Sequence, residues 1–163
     1  MVPALPLLDD ADHVRGPDGA RVVVFYGDYT CPRCAVAHER LRDAPLRVAF
    51  RHFALAGRHP RALPLACAAE AAGRQDRFWE FHDALFADPG HLDDPHLWAR
   101  AQALGLDLDR FERDRRSDEL LARVRASTRA GIRAGVAVTP TLIVGGETVA
   151  GAPDADLIAR LSR

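Results

Sequence analysis

Two cysteines three positions apart, Cys31 and Cys34 in Cys-Pro-Arg-Cys, are the residues of this 163-residue chain best suited to chemistry. At the start of a helix such a pair can close a small disulfide ring, because the first turn brings the two side chains together. The first sulfur then lies beside unpaired backbone N–H groups and the positive end of the helix dipole, which favour thiolate over thiol. Cys31 is therefore the expected nucleophile, and Cys34 the resolving thiol that expels the product. Pro32 suits the first helical position, where its missing N–H costs nothing. Arg33 adds a fixed positive charge that favours the thiolate further; stabilising the reduced form makes the pair a stronger oxidant. Two other uses of the spacing stay open. Cys-x-x-Cys is also half of a zinc site, for which Cys67 and scattered histidines, His38 among them, are the ligands on offer. A disulfide here could instead switch the shape of a binding or sensing module without catalytic turnover.

A second signal lies far downstream, in Val138-Thr139-Pro140-Thr141. A proline entering a strand donates no ladder hydrogen bond and often marks a special backbone feature, sometimes a cis peptide.

Composition narrows the alternatives. Basic residues number 22 against 23 acids, so a net charge of −1 gives no reason to expect nucleic acid or an anionic membrane as partner. Every basic residue is arginine, which removes Schiff-base lysines and a phosphate-loop lysine. None of Ser117, Ser127 and Ser162 sits in Gly-x-Ser-x-Gly, so that kind of serine hydrolase lacks its nucleophile. A dithiol needs neither metal nor cofactor, and none is expected. The length and the 48% apolar content suit one domain over residues 1–163. The first ten residues lack a basic start and carry two prolines, so they do not read as a secretory signal. With no apolar run near the roughly 20 residues that span a bilayer, the expected location is the cytoplasm.

The elements that must position the thiols can be read around them. Arg21–Tyr26 is a short apolar, β-branched run after the turn signal Gly16-Pro-Asp-Gly19, which suits a strand buried on both faces. A helix follows from Pro32 to Leu41, and Leu46–Phe53 reads as a second strand, parallel to the first through a right-handed crossover. From about 60 to 136 the pattern is helical, four or five helices. Phe78, Phe81, His82, Leu85 and Phe86 share one face; Leu97, Ala101 and Leu104 another; Leu120, Leu121, Val124, Thr128 and Ile132 a third. Thr141–Val144 and Glu147–Ala150 form a hairpin about Gly145-Gly146. A terminal helix capped by Asp154 turns Leu157, Ile158 and Leu161 to the sheet. The order, β-α-β, a helical block, then β-β-α, is that of an α/β thioredoxin fold with helices inserted at about 60–136.

Phe25-Tyr-Gly-Asp-Tyr-Thr-Cys-Pro-Arg-Cys34, Arg51-His-Phe-Ala-Leu55 with His59-Pro60, Phe78-Trp-Glu-Phe-His82 and Thr139-Pro-Thr-Leu-Ile-Val-Gly-Gly146 follow one another along nearly the whole chain. Together they resemble the DsbA-like thiol–disulfide oxidoreductases of the thioredoxin superfamily, above all small bacterial members, including domains fused to sodium/proton antiporters. The resemblance implies exchange with protein or small-thiol disulfides and a separate partner that recycles the thiols. It also implies that Thr139-Pro140 is a cis-proline loop facing the thiols, with Thr139 backbone groups pairing an extended substrate. One departure concerns proton handling: many relatives bury an acid six positions before the first cysteine, where this chain has Phe25, and Asp28 is the nearest acid in sequence.

Other polar residues have plainer readings. Cys67 in Leu65-Ala-Cys-Ala-Ala69 reads as a buried small hydrophobe. His52 and His59 border the active-site face or are satisfied structural histidines, and His82 is core-edge packing. Arg113, Arg115 and Arg116, alternating with acids, read as a solvated helix face.

Overall fold

The structure, a computed structural model, describes residues 8–163. The reading of the N-terminus as no secretory signal rests largely on residues 1–7, outside that range. Strand β1 (His13–Arg15) leads through the Gly16–Gly19 turn into β2 (Val22–Gly27), helix α1 (Pro32–Arg42) and β3 (Arg47–His52). Strands β2 and β3 are parallel, with Val23 opposite Val48 and Gly27 opposite His52. Successive residues of β2 go to opposite faces. Val23 and Phe25 join the larger core cluster, Val24 and Tyr26 the smaller one behind it. Burial on both faces is why the strand reads as a continuous apolar run.

Five helices follow: α2 (Ala62–Gly73), α3 (Phe78–Ala87), α4 (Asp94–Ala103) and α5 (Leu108–Arg115) contribute to the larger core, whereas α6 (Asp118–Arg133) joins it at Leu120 and ends against the smaller cluster. Asp93, Asp107 and Ser117 cap α4, α5 and α6 by accepting from backbone N–H groups of the first turn. The chain returns through β4 (Thr141–Val144), β5 (Glu147–Ala150) and α7 (Ala155–Leu161), whose N-cap Asp154 accepts from the Leu157 N–H at 2.7 Å. Among the described residues five strands form one sheet in the order β1-β3-β2-β4-β5. This is the expected α/β order with its helical insertion.

Four local expectations change. Strand β1 was not foreseen: three residues, His-Val-Arg, give no periodicity, and the strand exists by pairing antiparallel to β3 at the sheet edge. Ile132 is 54% exposed, because α6 meets the sheet through Gly131 instead. A Cβ on Gly131 would lie 2.9 Å from ring atoms of both Tyr26 and Phe53, so only glycine permits that approach. Arg115 is buried rather than solvated, its guanidinium 2.6 Å from Glu112 and 3.2 Å from Asp94, while Arg113 and Arg116 are exposed. On α7, Leu161 is buried and Leu157 packs against the core, but Ile158 borders an open groove with Arg40 and Pro45.

Candidate active site

The turn from β2 into α1 is built by close packing and one carboxylate. At Gly27 a Cβ would lie 2.8 Å from the Phe50 ring and 2.9 Å from that of Phe25, so the chain passes between the two rings only as glycine. The Asp28 carboxylate accepts from the Thr30 N–H and hydroxyl, each at 2.8 Å, and the Asp28 carbonyl accepts from Cys31 N–H at 3.1 Å. Cys31 is thereby held in an extended conformation at the N-cap of α1, with Pro32 in the first turn and its carbonyl accepting from Cys34 N–H at 3.0 Å. Both thiols are free; Cys31 is partly exposed and Cys34 fully buried.

The loop before β4 meets this turn. The Thr139–Pro140 peptide is cis, and the Thr139 carbonyl accepts from the Cys31 thiol at 3.5 Å. Pro140 is buried and its carbonyl accepts from Gly151 N–H at 2.8 Å, which ties the loop to the end of β5.

The two thiols are driven apart in acidity. The hydrogen bond from the Cys34 thiol is the largest influence pulling Cys31 down, to about 5; burial opposes it, and the Thr139 side chain and the backbone N–H groups of Cys34 and Arg33 reinforce it. Cys34 moves the other way, raised by donating that same hydrogen bond and by burial. Arg33 thus helps through its backbone, whereas its guanidinium is exposed, where solvent screens it. Thr139→Val removes one stabilising hydroxyl and should raise the Cys31 pKa above about 5. Ultraviolet titration of the thiolate in the reduced protein measures this, and an unchanged curve would deny Thr139 that role.

No carboxylate lies where the resemblance would put one. Phe25 is 2% exposed within the core cluster that holds Cys34, edge-on to Phe50 with ring centres 5.1 Å apart. Asp28 bears on Cys34 through its backbone, and its Oδ1 accepts both hydrogen bonds from Thr30.

The histidines divide sharply. His59 is exposed, and its Nδ1 accepts from Arg61 N–H at 3.1 Å. His52, buried at the end of β3, has Nε2 at 2.8 Å from Glu70 of α2. His82 is no core-edge residue: at 1% exposure it sits in the centre of the aromatic cluster, its Nδ1 2.8 Å from the Tyr29 hydroxyl. Burial pushes His82 well below the ordinary histidine range and Tyr29 well above the ordinary phenol range.

Two polar clusters escaped the reading of the sequence. Buried Glu70 is met by His13 (2.9 Å), His52 (2.8 Å) and Arg123 (2.7 Å), drawing β1, β3 and α6 onto α2. Burial opposes its ionisation, but the two histidine hydrogen bonds overcome this and hold it far below the ordinary carboxylate range. Its one sequence signal is that Glu70 is the sole charge in the otherwise apolar run of α2. The other cluster joins His38 of α1 to α3, with Nε2 3.5 Å from Asp83 and its ring 5.0 Å from that of His82.

Metal-ligand chemistry finds little support. Cys67 packs with Ala54, Ala62, Ala66 and Val124, in a cluster separate from that of Cys34, and burial raises its thiol to about 11. Potential ligand atoms of His38, His82 and Asp83 lie within 4.8 Å of one another. Both Asp83 oxygens, however, accept from Arg15 at 2.8 and 2.9 Å, and that fixed positive charge opposes a cation. Among the described residues, no group of potential metal ligands includes Cys31 or Cys34.

Comparison with known proteins bears on this geometry. The family model described as a DSBA-like thioredoxin domain matches residues 22–161. A sodium/proton antiporter, NhaA 1 of Salinispora arenicola, is 41% identical over 152 residues, covering 90% of this chain and 23% of its own length. NhaA 1 of Mycolicibacterium gilvum is 35% identical, covering 95% of this chain and 27% of its own. The chain therefore spans about a quarter of the length of these curated relatives. Among solved structures, a thioredoxin-like oxidoreductase from Silicibacter pomeroyi superposes with a TM-score of 0.82 at 27% identity, covering 94% of this chain and 91% of the other. The thiol-disulfide exchange protein α-DsbA2 of Wolbachia pipientis has the same fold, with a TM-score of 0.79 at 23% identity, covering 93% and 86%. A family match over all but the ends of the sequence settles membership: the chain belongs to the DSBA-like thioredoxin domain family.

Proposed function

We propose that this domain is a thiol–disulfide oxidoreductase that exchanges a Cys31–Cys34 disulfide with protein or small-thiol substrates through a mixed disulfide on Cys31. The observation that carries the reading is the asymmetry of the pair. A partly exposed thiol with a pKa near 5 is almost wholly thiolate at neutral pH, while its buried neighbour stays protonated until it is needed. In the forward direction the Cys31 thiolate attacks a substrate disulfide, and Cys34 then displaces the substrate thiol. The reverse sequence donates the disulfide. Pro32 starts the helix, Arg33 supplies a backbone donor, and Thr139 and Pro140 form the opposing loop beside which a substrate strand would lie.

A stabilised Cys31 thiolate favours the dithiol, which makes the disulfide form oxidising. A cytoplasmic location, the expectation from the sequence, would keep such a pair reduced, and there it would serve as reductase or isomerase. No helix among the described residues is long and apolar enough to cross a membrane. The antiporter relatives raise the further reading that the domain works beside a transporter.

The lack of a carboxylate at Cys34 favours one other reading, a redox switch that is oxidised once without turnover. Equilibration with glutathione, combined with a multiple-turnover assay on a reduced, unfolded protein, decides between them. The expected results are a potential less negative than the roughly −270 mV of thioredoxin and many turnovers per molecule. Stoichiometric oxidation alone would favour the switch.

A further inference from the structure

Given thiol–disulfide exchange at Cys31, on which this inference rests, the buried Cys34 thiol must lose its proton as it attacks. Position 25 holds an apolar ring, and Asp28 meets Cys34 through its backbone while its Oδ1 accepts from Thr30. Cys34 and His38 are one turn apart on α1 and share its buried face, and helical side chains lean back toward the preceding turn. His38 is 4% exposed, stacked on Phe86 with ring centres 4.9 Å apart, and its Nε2 lies 3.5 Å from Asp83, which is 36% exposed. His38 is thus one helical turn from the buried thiol on the same face of α1 and 3.5 Å from a partly exposed carboxylate.

We propose that His38 is the proton acceptor for Cys34, with Asp83, whose oxygens also accept from Arg15 at 2.8 and 2.9 Å, holding the imidazole and stabilising its protonated form. In the resolving step the Cys34 S–H proton goes to the His38 imidazole, and the sulfur electron pair forms the Cys31–Cys34 bond. The bond between Cys31 and the substrate sulfur breaks, and that sulfur leaves as thiolate. The cysteine pair is oxidised by two electrons and the substrate disulfide is reduced; disulfide donation runs the same proton back.

The surroundings suit a base that is neutral at rest. Burial lowers the His38 pKa, the principal effect; Asp83 on α3 and Glu39 on α1 raise it, while Arg15 of β1 and Arg42 of α1 lower it. Neutral His82 faces the ring from α3.

Reduced protein is mixed with oxidised glutathione, quenched in acid and weighed, which separates formation of the Cys31 adduct from its resolution. In His38→Gln the bimolecular first step should keep its rate, whereas resolution at neutral pH should slow about tenfold or more and rise in proportion to hydroxide. Added imidazole should restore resolution in His38→Gly. Asp83→Asn, at a half-exposed position, should shift the acid limb of wild-type resolution to lower pH, because it removes the charge that raises the His38 pKa. An unchanged resolution rate and pH profile in His38→Gln overturns the proposal. So does an Asp83→Asn profile that coincides with wild type, which decides the matter if the His38 variants do not fold. Failure of wild-type protein to form any Cys31 adduct would overturn the oxidoreductase reading instead.

Discussion

Cys31→Ser should lower disulfide-exchange activity about a thousandfold or more, with the fold and thermal stability largely kept. A serine hydroxyl does not ionise near neutral pH and cannot form the mixed disulfide, so both half-reactions end at this one position. The side chain is partly exposed at a helix N-cap and touches only the edge of the core, and a serine hydroxyl can still donate to the Thr139 carbonyl as the thiol does. The same reasoning fixes the pH dependence of the wild-type first step. Adduct formation with an excess of small disulfide should be flat through neutral pH and decline only as acidity approaches about pH 5, where the thiolate is protonated. A decline centred near the ordinary thiol value would mean that the helix start, the Cys34 thiol and Thr139 do not stabilise Cys31 as described.

The largest effect on stability is expected at Glu70. Glu70→Ala leaves His13, His52 and the Arg123 guanidinium without their shared acceptor in a buried setting, a loss of about 3–5 kcal/mol. For a chain of this size that corresponds to a fall in Tm of roughly 10 °C. The sign with pH follows from the direction of the shift. A carboxyl held far below its ordinary value contributes stability that is complete above about 4.5, its unfolded value, and is lost as pH falls toward the folded value. His82 and His38 are also lowered, so their contribution is complete above about 6.5 and fades as pH falls below it. Acid unfolding monitored by circular dichroism should begin in the histidine window and steepen below pH 4.5, and Glu70→Ala should remove the steeper part. An alanine variant as stable as wild type at pH 7 would show that the four-residue cluster contributes nothing net.

Which parts of this were legible in the sequence depends on how local their causes are. The βαβ unit could be read because Val22–Gly27 is buried on both faces and Pro32 marks the helix start, both features of contiguous residues. The Cys31–Cys34 pair carried its own spacing. Thr139 could be placed opposite it only through resemblance, since nothing between residues 34 and 139 says that the two segments meet. The edge strand β1 takes its conformation from β3 rather than from its own three residues. Ile132 misled because a 3.6-residue pattern cannot tell that Gly131, by being small, brings its own side of α6 onto Tyr26 and Phe53. Arg115 looked solvated because its partner Asp94 lies on another helix. The Glu70 cluster and the Tyr29–His82 contact join residues 18 to 57 positions apart, and no short-range pattern announces them.

The central claim, a mixed disulfide on Cys31 resolved by Cys34, is tested most directly by the mass of the species trapped in Cys34→Ser. Incubation with oxidised glutathione or a disulfide-bonded peptide should yield one long-lived adduct per chain, located on Cys31 by peptide mapping, with none accumulating in wild type. An adduct on Cys67, or exchange that continues at the wild-type rate with no adduct on Cys31, would contradict it.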